Sequence, residues 1–189
     1  NKTEYVITNT HETEKTEATV KKVWDDSNDQ DGIRPKELTV TLMNGNTVMG
    51  TVTLNEANGW SGTIDNLEKK AGGKDIEYTW TEGRMPEGYS LTNTAKGEGN
   101  VTTLTNSYTP GKTSISVRKV WTDSDNQDGI RPDAITVQLY AGETAQGAAV
   151  ELNEANSWSY TWTGLADKAD GEKIIYKVDE VTVPEGYTK

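Results

Sequence analysis

The segment KKVWDDSNDQDGIRPKELTVTL (residues 21–42) recurs as RKVWTDSDNQDGIRPDAITVQL (118–139), offset by 97 residues from Lys22 to Lys119. LNEANGW (54–60) recurs as LNEANSW (152–158), and PEGY (86–89) as PEGY (184–187), both offset by 98. Several separated segments sharing one period mean one structural unit used repeatedly, so the fold must close within each copy. Residues 12–109 hold a full copy. Residues 112–189 hold a copy that stops after PEGYTK, short of a loop and a last strand. VITNT (6–10) matches TLTNS (103–107), Asn9 standing for Asn106. Residues 1–10 therefore read as the last strand of a unit whose body does not precede them in this chain.

Within each copy the runs LTVTL, ITVQL, IEYTW, WSYTW and IIYKV are short, alternate apolar with polar residues, and favour Thr, Val, Tyr and Trp. That pattern predicts half-buried strands. NDQDG, NGN, KAGGKD and DKADGEK between them are turn material. No stretch has the apolar spacing of a long helix. The predicted fold class is all-β: two tandem antiparallel β-sandwiches.

A unit of about 90 residues buries a limited core and often needs a staple. Hydrophobic residues are only 32% and Phe is absent, so the core must rest on Val, Leu, Ile, Tyr and six Trp. There is no Cys, which excludes a disulfide staple, thiol catalysis and a zinc ribbon. The net charge of −11 opposes nucleic-acid binding, which needs clustered Lys and Arg. No apolar run reaches membrane-spanning length, and no signal peptide is recognisable, so the chain reads as a fragment.

Side chains alternate across a strand, so phase shows which polar residues face inward. Lys22 is in phase with Val20 and Trp24; Lys119 with Ile115, Val117 and Trp121. Glu82 is in phase with Ile76, Tyr78 and Trp80; Glu180 with Ile174, Tyr176 and Val178. Asn106 is in phase with Leu104, and Asn9 with Tyr5 and Ile7. Each unit thus directs a Lys, a Glu and an Asn toward its interior, where an isolated charge is costly. One reading is a buried Lys–Glu ion pair with a hydrogen-bonded Asn. The other is chemical. Desolvation favours a neutral amine and a protonated carboxyl. A neutral amine is a nucleophile and a carboxamide carbon an electrophile, with the acid shuttling protons. The product would be a Lys–Asn isopeptide bond, supplying the staple that cysteine does not.

KVW, DQDGIRP, LNEAN-W, VPEGY and the closing TN[TS] together resemble the Cna B-type repeat of surface adhesins and pilins in Gram-positive bacteria. The resemblance covers nearly the whole chain. It implies a transthyretin-like, inverse-immunoglobulin sandwich, and an extracellular, cell-wall-anchored stalk whose anchor lies outside this fragment. It also implies an intramolecular isopeptide bond: Lys22 and Asn106 as partners with Glu82 as the promoting acid in the first unit, Lys119 and Glu180 in the second. The chemistry would be one self-cross-linking event per unit, without turnover and without a cofactor. Gly83, directly after Glu82, departs from the usual pattern and is expected to loosen that strand.

Asn9 lacks a Lys in its own unit and Lys119 lacks an Asn. Residues 1–10 of one molecule could complete the 112–189 unit of another, giving a head-to-tail homopolymer by strand addition. They could instead fold back onto their own chain, or the unit could stay open at an edge, an aggregation liability. Complementation between molecules is the favoured expectation. The other partners expected are neighbouring repeats of the same protein.

Other candidates are weaker. SNDQDG and SDNQDG resemble the start of a calcium loop, but the twelfth positions are Leu38 and Ile135, not carboxylates, so no metal site is assigned. Most of the six Trp fall in phase with strands, and they are read as core. A ligand-binding adhesin module, marked by an exposed aromatic patch, is the alternative function. His11 lies in a linker and is given no role. NKT (1–3) and NVT (100–102) fit a glycosylation pattern that bacterial origin makes moot.

Overall fold

The computed structural model describes residues 3–189; the start of the 1–10 segment, with the Asn1 acceptor pattern, lies outside it. The chain divides into two compact units.

The first unit carries β1 (Lys15–Asp25), β2 (Glu37–Asn44), β3 (Thr47–Asn55), β4 (Ser61–Glu68), β5 (Lys70–Ala71), β6 (Lys74–Asp75), β7 (Tyr78–Glu82), β8 (Ser90–Lys96) and β9 (Val101–Ser107). One sheet has the order β4-β1-β9-β8 and the other β3-β2-β7, with β5 and β6 as a separate small hairpin. The inward residues of both sheets form one core: Ala18, Val20, Leu38, Val40, Leu42, Leu54, Leu67, Trp80 and Leu104. Val20, Trp80 and Leu104 among them stand at positions that the sequence phase assigns inward. Gly62 is one place where that packing leaves little room for a side chain, since a Cβ there would meet Val52 and Leu54 at 3.1–3.2 Å.

The sandwich is antiparallel with one exception. β1 and β9 run parallel from Thr19↔Val101 to Asp25↔Ser107. The first and last strands of the unit are therefore neighbours, joined by a ladder that begins where β1's pairing to β4 nears its end at Lys21↔Ser61.

The second unit carries β10 (Lys112–Arg118), β11 (Ala134–Ala141), β12 (Thr144–Ala145), β13 (Val150–Asn153), β14 (Ser159–Ala166), β15 (Lys168–Ala169), β16 (Glu172–Lys173) and β17 (Tyr176–Glu180). β10 pairs β14; β11 pairs β12, β13 and β17; β15 pairs β16. Ile135, Val137 and Leu152 form its core, covered by Val117, Trp121, Trp158, Trp162 and Val178. Trp residues of both units pack against cores, Trp24, Trp80, Trp121 and Trp162 from in-phase positions and Trp60 and Trp158 from the turns before β4 and β14.

The LNEAN-W motif acts identically in both units. Asn55 caps the short 3₁₀ turn Glu56–Asn58 by accepting from the Asn58 amide, while the Asn58 side chain accepts from the Asn55 amide. Asn153 and Asn156 repeat this around Glu154–Asn156. The turn leaves through left-handed backbone at Gly59 and Trp60, and at Ser157 and Trp158. It folds Trp60 edge-on to Trp24 at 5.1 Å and Trp158 edge-on to Trp121 at 5.2 Å. Gly83 does not shorten its strand: β7 and β17 both span five residues, and the Gly83 amide still reaches the Thr39 carbonyl at 3.2 Å.

The two first strands differ. β1 has 11 residues and β10 has 7. The missing stretch, Lys119–Thr122, corresponds to Lys22–Asp25, which in the first unit is held by β9. Residues 3–14 belong to no strand, and Tyr5, Val6 and Ile7 are exposed. The hydrogen-exchange expectation follows from the ladder. Amides of Val23 and Asp25 are protected, and those of Val120 and Thr122 exchange far faster in the monomeric 189-residue polypeptide. Equal protection of both pairs would contradict the difference in pairing.

Candidate functional site

The inward Lys, Glu and Asn of the first unit meet. β1 presents Lys22, β7 in the opposite sheet presents Glu82, and β9 presents Asn106. Lys22 Nζ lies 2.7 Å from Glu82 Oε1, with the two side chains 0% and 2% exposed. Nζ also donates to the Leu104 carbonyl at 3.1 Å and lies 4.9 Å from the centre of the Trp24 ring. Asn106 is fully buried. Its Nδ2 donates to Glu82 Oε2 at 2.8 Å and to Met85 Sδ at 3.4 Å, while its Oδ1 is buried without a hydrogen-bond partner. One carboxylate thus bridges an amine and a carboxamide, one oxygen to each.

Burial pushes the Lys22 pKa below the ordinary lysine value; the hydrogen bond and charge of Glu82 oppose that shift without cancelling it. Desolvation penalises the ammonium and the paired carboxylate recovers part of the loss. The arrangement can therefore release a proton from Nζ toward Glu82 in a dry site beside an amide.

The second unit repeats two of the three groups. Lys119 Nζ is 3.1 Å from both Glu180 oxygens and 4.5 Å from the centre of the Trp121 ring. Lys119 is 19% exposed at the side chain, against 0% for Lys22. Asn9 is exposed and in no strand.

A second polar cluster escaped the sequence reading. Asp26 is buried. It accepts from Arg34 Nε and Nη2 at 2.9 and 2.6 Å and from the Tyr89 hydroxyl at 2.8 Å. Asp123, Arg131 and Tyr187 repeat this at 2.9, 2.6 and 2.8 Å. The Arg131 fork, with a smaller contribution from the Tyr187 hydroxyl, holds the Asp123 carboxyl well below the usual carboxylate range. The bond ties the DQDGIRP loop to the PEGY loop. Tyr89 in turn stands edge-on to Trp24 at 5.1 Å, and Tyr187 to Trp121 at 5.0 Å, so each clamp steadies the ring beside its lysine. The available signal was that Asp, Arg and Tyr all recur at the repeat offset. Among the described residues, no group of three or more His, Asp or Glu side chains is placed to hold a metal ion.

Two outcomes are expected. Asp26→Ala, which strands Arg34 and the Tyr89 hydroxyl, lowers the stability of the first unit by about 2–3 kcal/mol in denaturant melts, the partial exposure of Arg34 moderating the loss. The second concerns pH. Between its depressed folded pKa and 10.5, Lys22 takes up a proton on unfolding, so its contribution to stability grows as pH rises through that window. In an Asn106→Ala background, first-unit stability relative to an Asn106→Ala/Lys22→Met double variant increases with pH toward 10.5. A flat difference would contradict the shift.

Comparison with known proteins agrees with this architecture. The Cna protein B-type domain profile matches residues 18–107 and 115–189. A collagen adhesin of Staphylococcus aureus is 42% identical over 183 residues, 97% of this chain and 15% of that protein. The crystal structure of two B repeat units of the S. aureus collagen-binding protein superposes with a TM-score of 0.82 at 38% identity, covering 89% of this chain and 45% of that one. A single B repeat unit of the same protein is 42% identical over 93% of this chain and 90% of its own, with a TM-score of 0.43. Two sandwiches in tandem, each built on the same Lys, Glu and Asp–Arg–Tyr groups, belong to a chain of the Cna protein B-type domain family.

Proposed function

We propose that this chain is a segment of a bacterial surface stalk, and that its first unit welds itself shut with an isopeptide bond between Lys22 and Asn106. The observation that carries this reading is the buried contact of one carboxylate, Glu82, with both Lys22 Nζ and Asn106 Nδ2. Glu82 takes a proton from the Lys22 ammonium through Oε1. The neutral amine attacks Cγ of Asn106. Glu82 returns the proton to Nδ2 as the Cγ–Nδ2 bond breaks, and a second proton passes from Nζ through Glu82 to the departing ammonia as the secondary amide forms. In balance, an ammonium and a carboxamide yield a secondary amide and an ammonium ion. Contact in a closed core supplies the effective molarity that amines and amides lack in water. The event happens once, so it is not enzymatic turnover.

The physical benefit lies in where the bond sits. β1 and β9 are the parallel terminal strands of the unit. A link between them closes a loop of roughly 85 residues, worth about 4–5 kcal/mol if native geometry is unstrained. It also carries tension across the unit without loading the remaining strands. The first copy buries Lys22, Asp26 and Asn106, and both copies pack Trp against their cores, which suits a stalk better than a ligand-capturing surface. We extend the reading to a cell-wall-attached protein on a Gram-positive bacterium.

The second unit has the amine and the acid in place at Lys119 and Glu180. The edge from Ser116 to Thr122 corresponds to the one that holds β9 in the first unit. We propose that it takes a strand of the VITNT type. In register, Ile7 would stand beside Lys119 and Asn9 beside Trp121, offering the Asn9 amide to Lys119. Supplied by a second molecule, this strand would join chains head to tail.

Intact mass spectrometry tests both parts. The 189-residue polypeptide is lighter than its sequence by one ammonia, and Lys22→Met or Glu82→Gln restores the full mass. Full mass in the unsubstituted protein would end the first part. Covalent ladders on a denaturing gel, abolished by Lys119→Met and by Asn9→Ala, are the expected result for the second; a single band at high concentration would end it.

A further inference from the structure

We infer that Met85 is a positioning residue for the Lys22–Asn106 reaction: its thioether holds the Asn106 carboxamide with the leaving nitrogen toward Glu82 and lies between that nitrogen and the surface. This rests on the isopeptide reading above and adds a group that the repeat pattern does not supply, since Val183 stands at the corresponding position of the second unit.

Asn106 Nδ2 has two hydrogens and two acceptors, Glu82 Oε2 at 2.8 Å and Met85 Sδ at 3.4 Å. Oδ1 at the other end has no partner. A carboxamide can turn over in its slot, exchanging nitrogen and oxygen. Turned over, it would set its carbonyl oxygen against a carboxylate oxygen and a thioether sulfur, three electron-rich atoms together. Glu82 can relieve its share by taking a proton; sulfur has no proton to give. Met85 therefore selects one orientation whatever the protonation state of Glu82. In that orientation the carboxyl that receives the Lys22 proton faces the nitrogen that must be protonated to leave. A valine offers no acceptor and no such choice.

The same side chain has the right place for release. Asn106 is fully buried, whereas Met85 is only half-buried and lines an open groove with Pro35, Leu38, Gly83 and Pro86. The opposite side of the site is closed by the sandwich core. An unbranched thioether changes rotamer easily, so ammonia leaves past Met85 with little rearrangement.

Met85→Leu keeps volume and removes the acceptor. Timed quenching of cell-free synthesis, followed by intact mass, reads the rate of ammonia loss across a pH series. The variant is expected to react about fivefold more slowly at every pH, the effect of one weak hydrogen bond. In a Lys22→Met background, which cannot link, Met85→Leu is expected to leave the denaturation midpoint unchanged, separating positioning from packing. In the same background, nitrogen-15 NMR reads the Asn106 carboxamide directly: one of its two hydrogens exchanges faster once the sulfur is gone. Linking at an unchanged rate with unchanged exchange overturns the inference, as does slowing that merely follows a loss of stability. Where both proteins link faster than sampling resolves, the exchange result decides. Should the unsubstituted protein never lose ammonia, the isopeptide reading fails first and this one with it.

Discussion

The first unit is organised around an ammonium and a carboxylate taken out of water between two sheets. Lys22 comes from one sheet and Glu82 from the other, and their contact at 2.7 Å is closed from solvent. Such a pair is tolerable only when each remaining lone pair and proton finds a partner. Leu104 supplies a carbonyl, Trp24 a ring face and Asn106 an amide, all on the first or last strand. The polar trio therefore dictates that β1 and β9 be neighbours. A core of modest apolar content acquires its specificity from this one polar arrangement, in which the first strand recognises the last.

Residues 112–189 show which of these features stand without contact from a β9 counterpart. The turn built on Asn153 and Asn156, the Asp123–Arg131–Tyr187 clamp and the Trp121–Trp158 contact match their counterparts closely in geometry. These depend on segments within the unit's first eighty residues or so. The end of the first strand does depend on the last strand, and it shortens: β10 ends at Arg118. Lys119 keeps its carboxylate but at longer range and with more exposure. Val120 is 64% exposed where Val23 is 44%. In both units the body holds an amine–acid pair, and in the first unit β9 adds the amide and closes the site.

The Asp–Arg–Tyr clamp is present in both units. It joins two loops that carry no strand hydrogen bonds to each other, and its tyrosine leans on the tryptophan beside the lysine. Loop anchoring and site geometry are in this way coupled through one aromatic edge. The clamp stands in a bidentate, charge-assisted geometry, the kind of ion pair that retains value near a surface.

Much was determined by the sequence alone. The repeat offset defined the units, and alternation placed Lys22, Glu82 and Asn106 on inward faces, because a pleated strand has no freedom to point successive side chains the same way. The same alternation put most of the tryptophans against the cores, Trp60 and Trp158 arriving there from turns instead. Other features were decided only in three dimensions. Which inward groups touch depends on how the two sheets pair and pack, and phase within one strand carries no information about its neighbour. The parallel β1–β9 ladder, the bridging of Lys22 and Asn106 by separate oxygens of Glu82, and the sulfur of Met85 beside the amide are all of this kind. So is the clamp around Asp26, which joins Arg34 eight residues on to Tyr89 63 residues away, on loops without periodicity. The weakening expected at Gly83 did not occur, because the ladder to Thr39 persists through it. Local chemistry set each residue's face; only closure of the sandwich chose its partner, since contact between strands is a property of the packed chain as a whole.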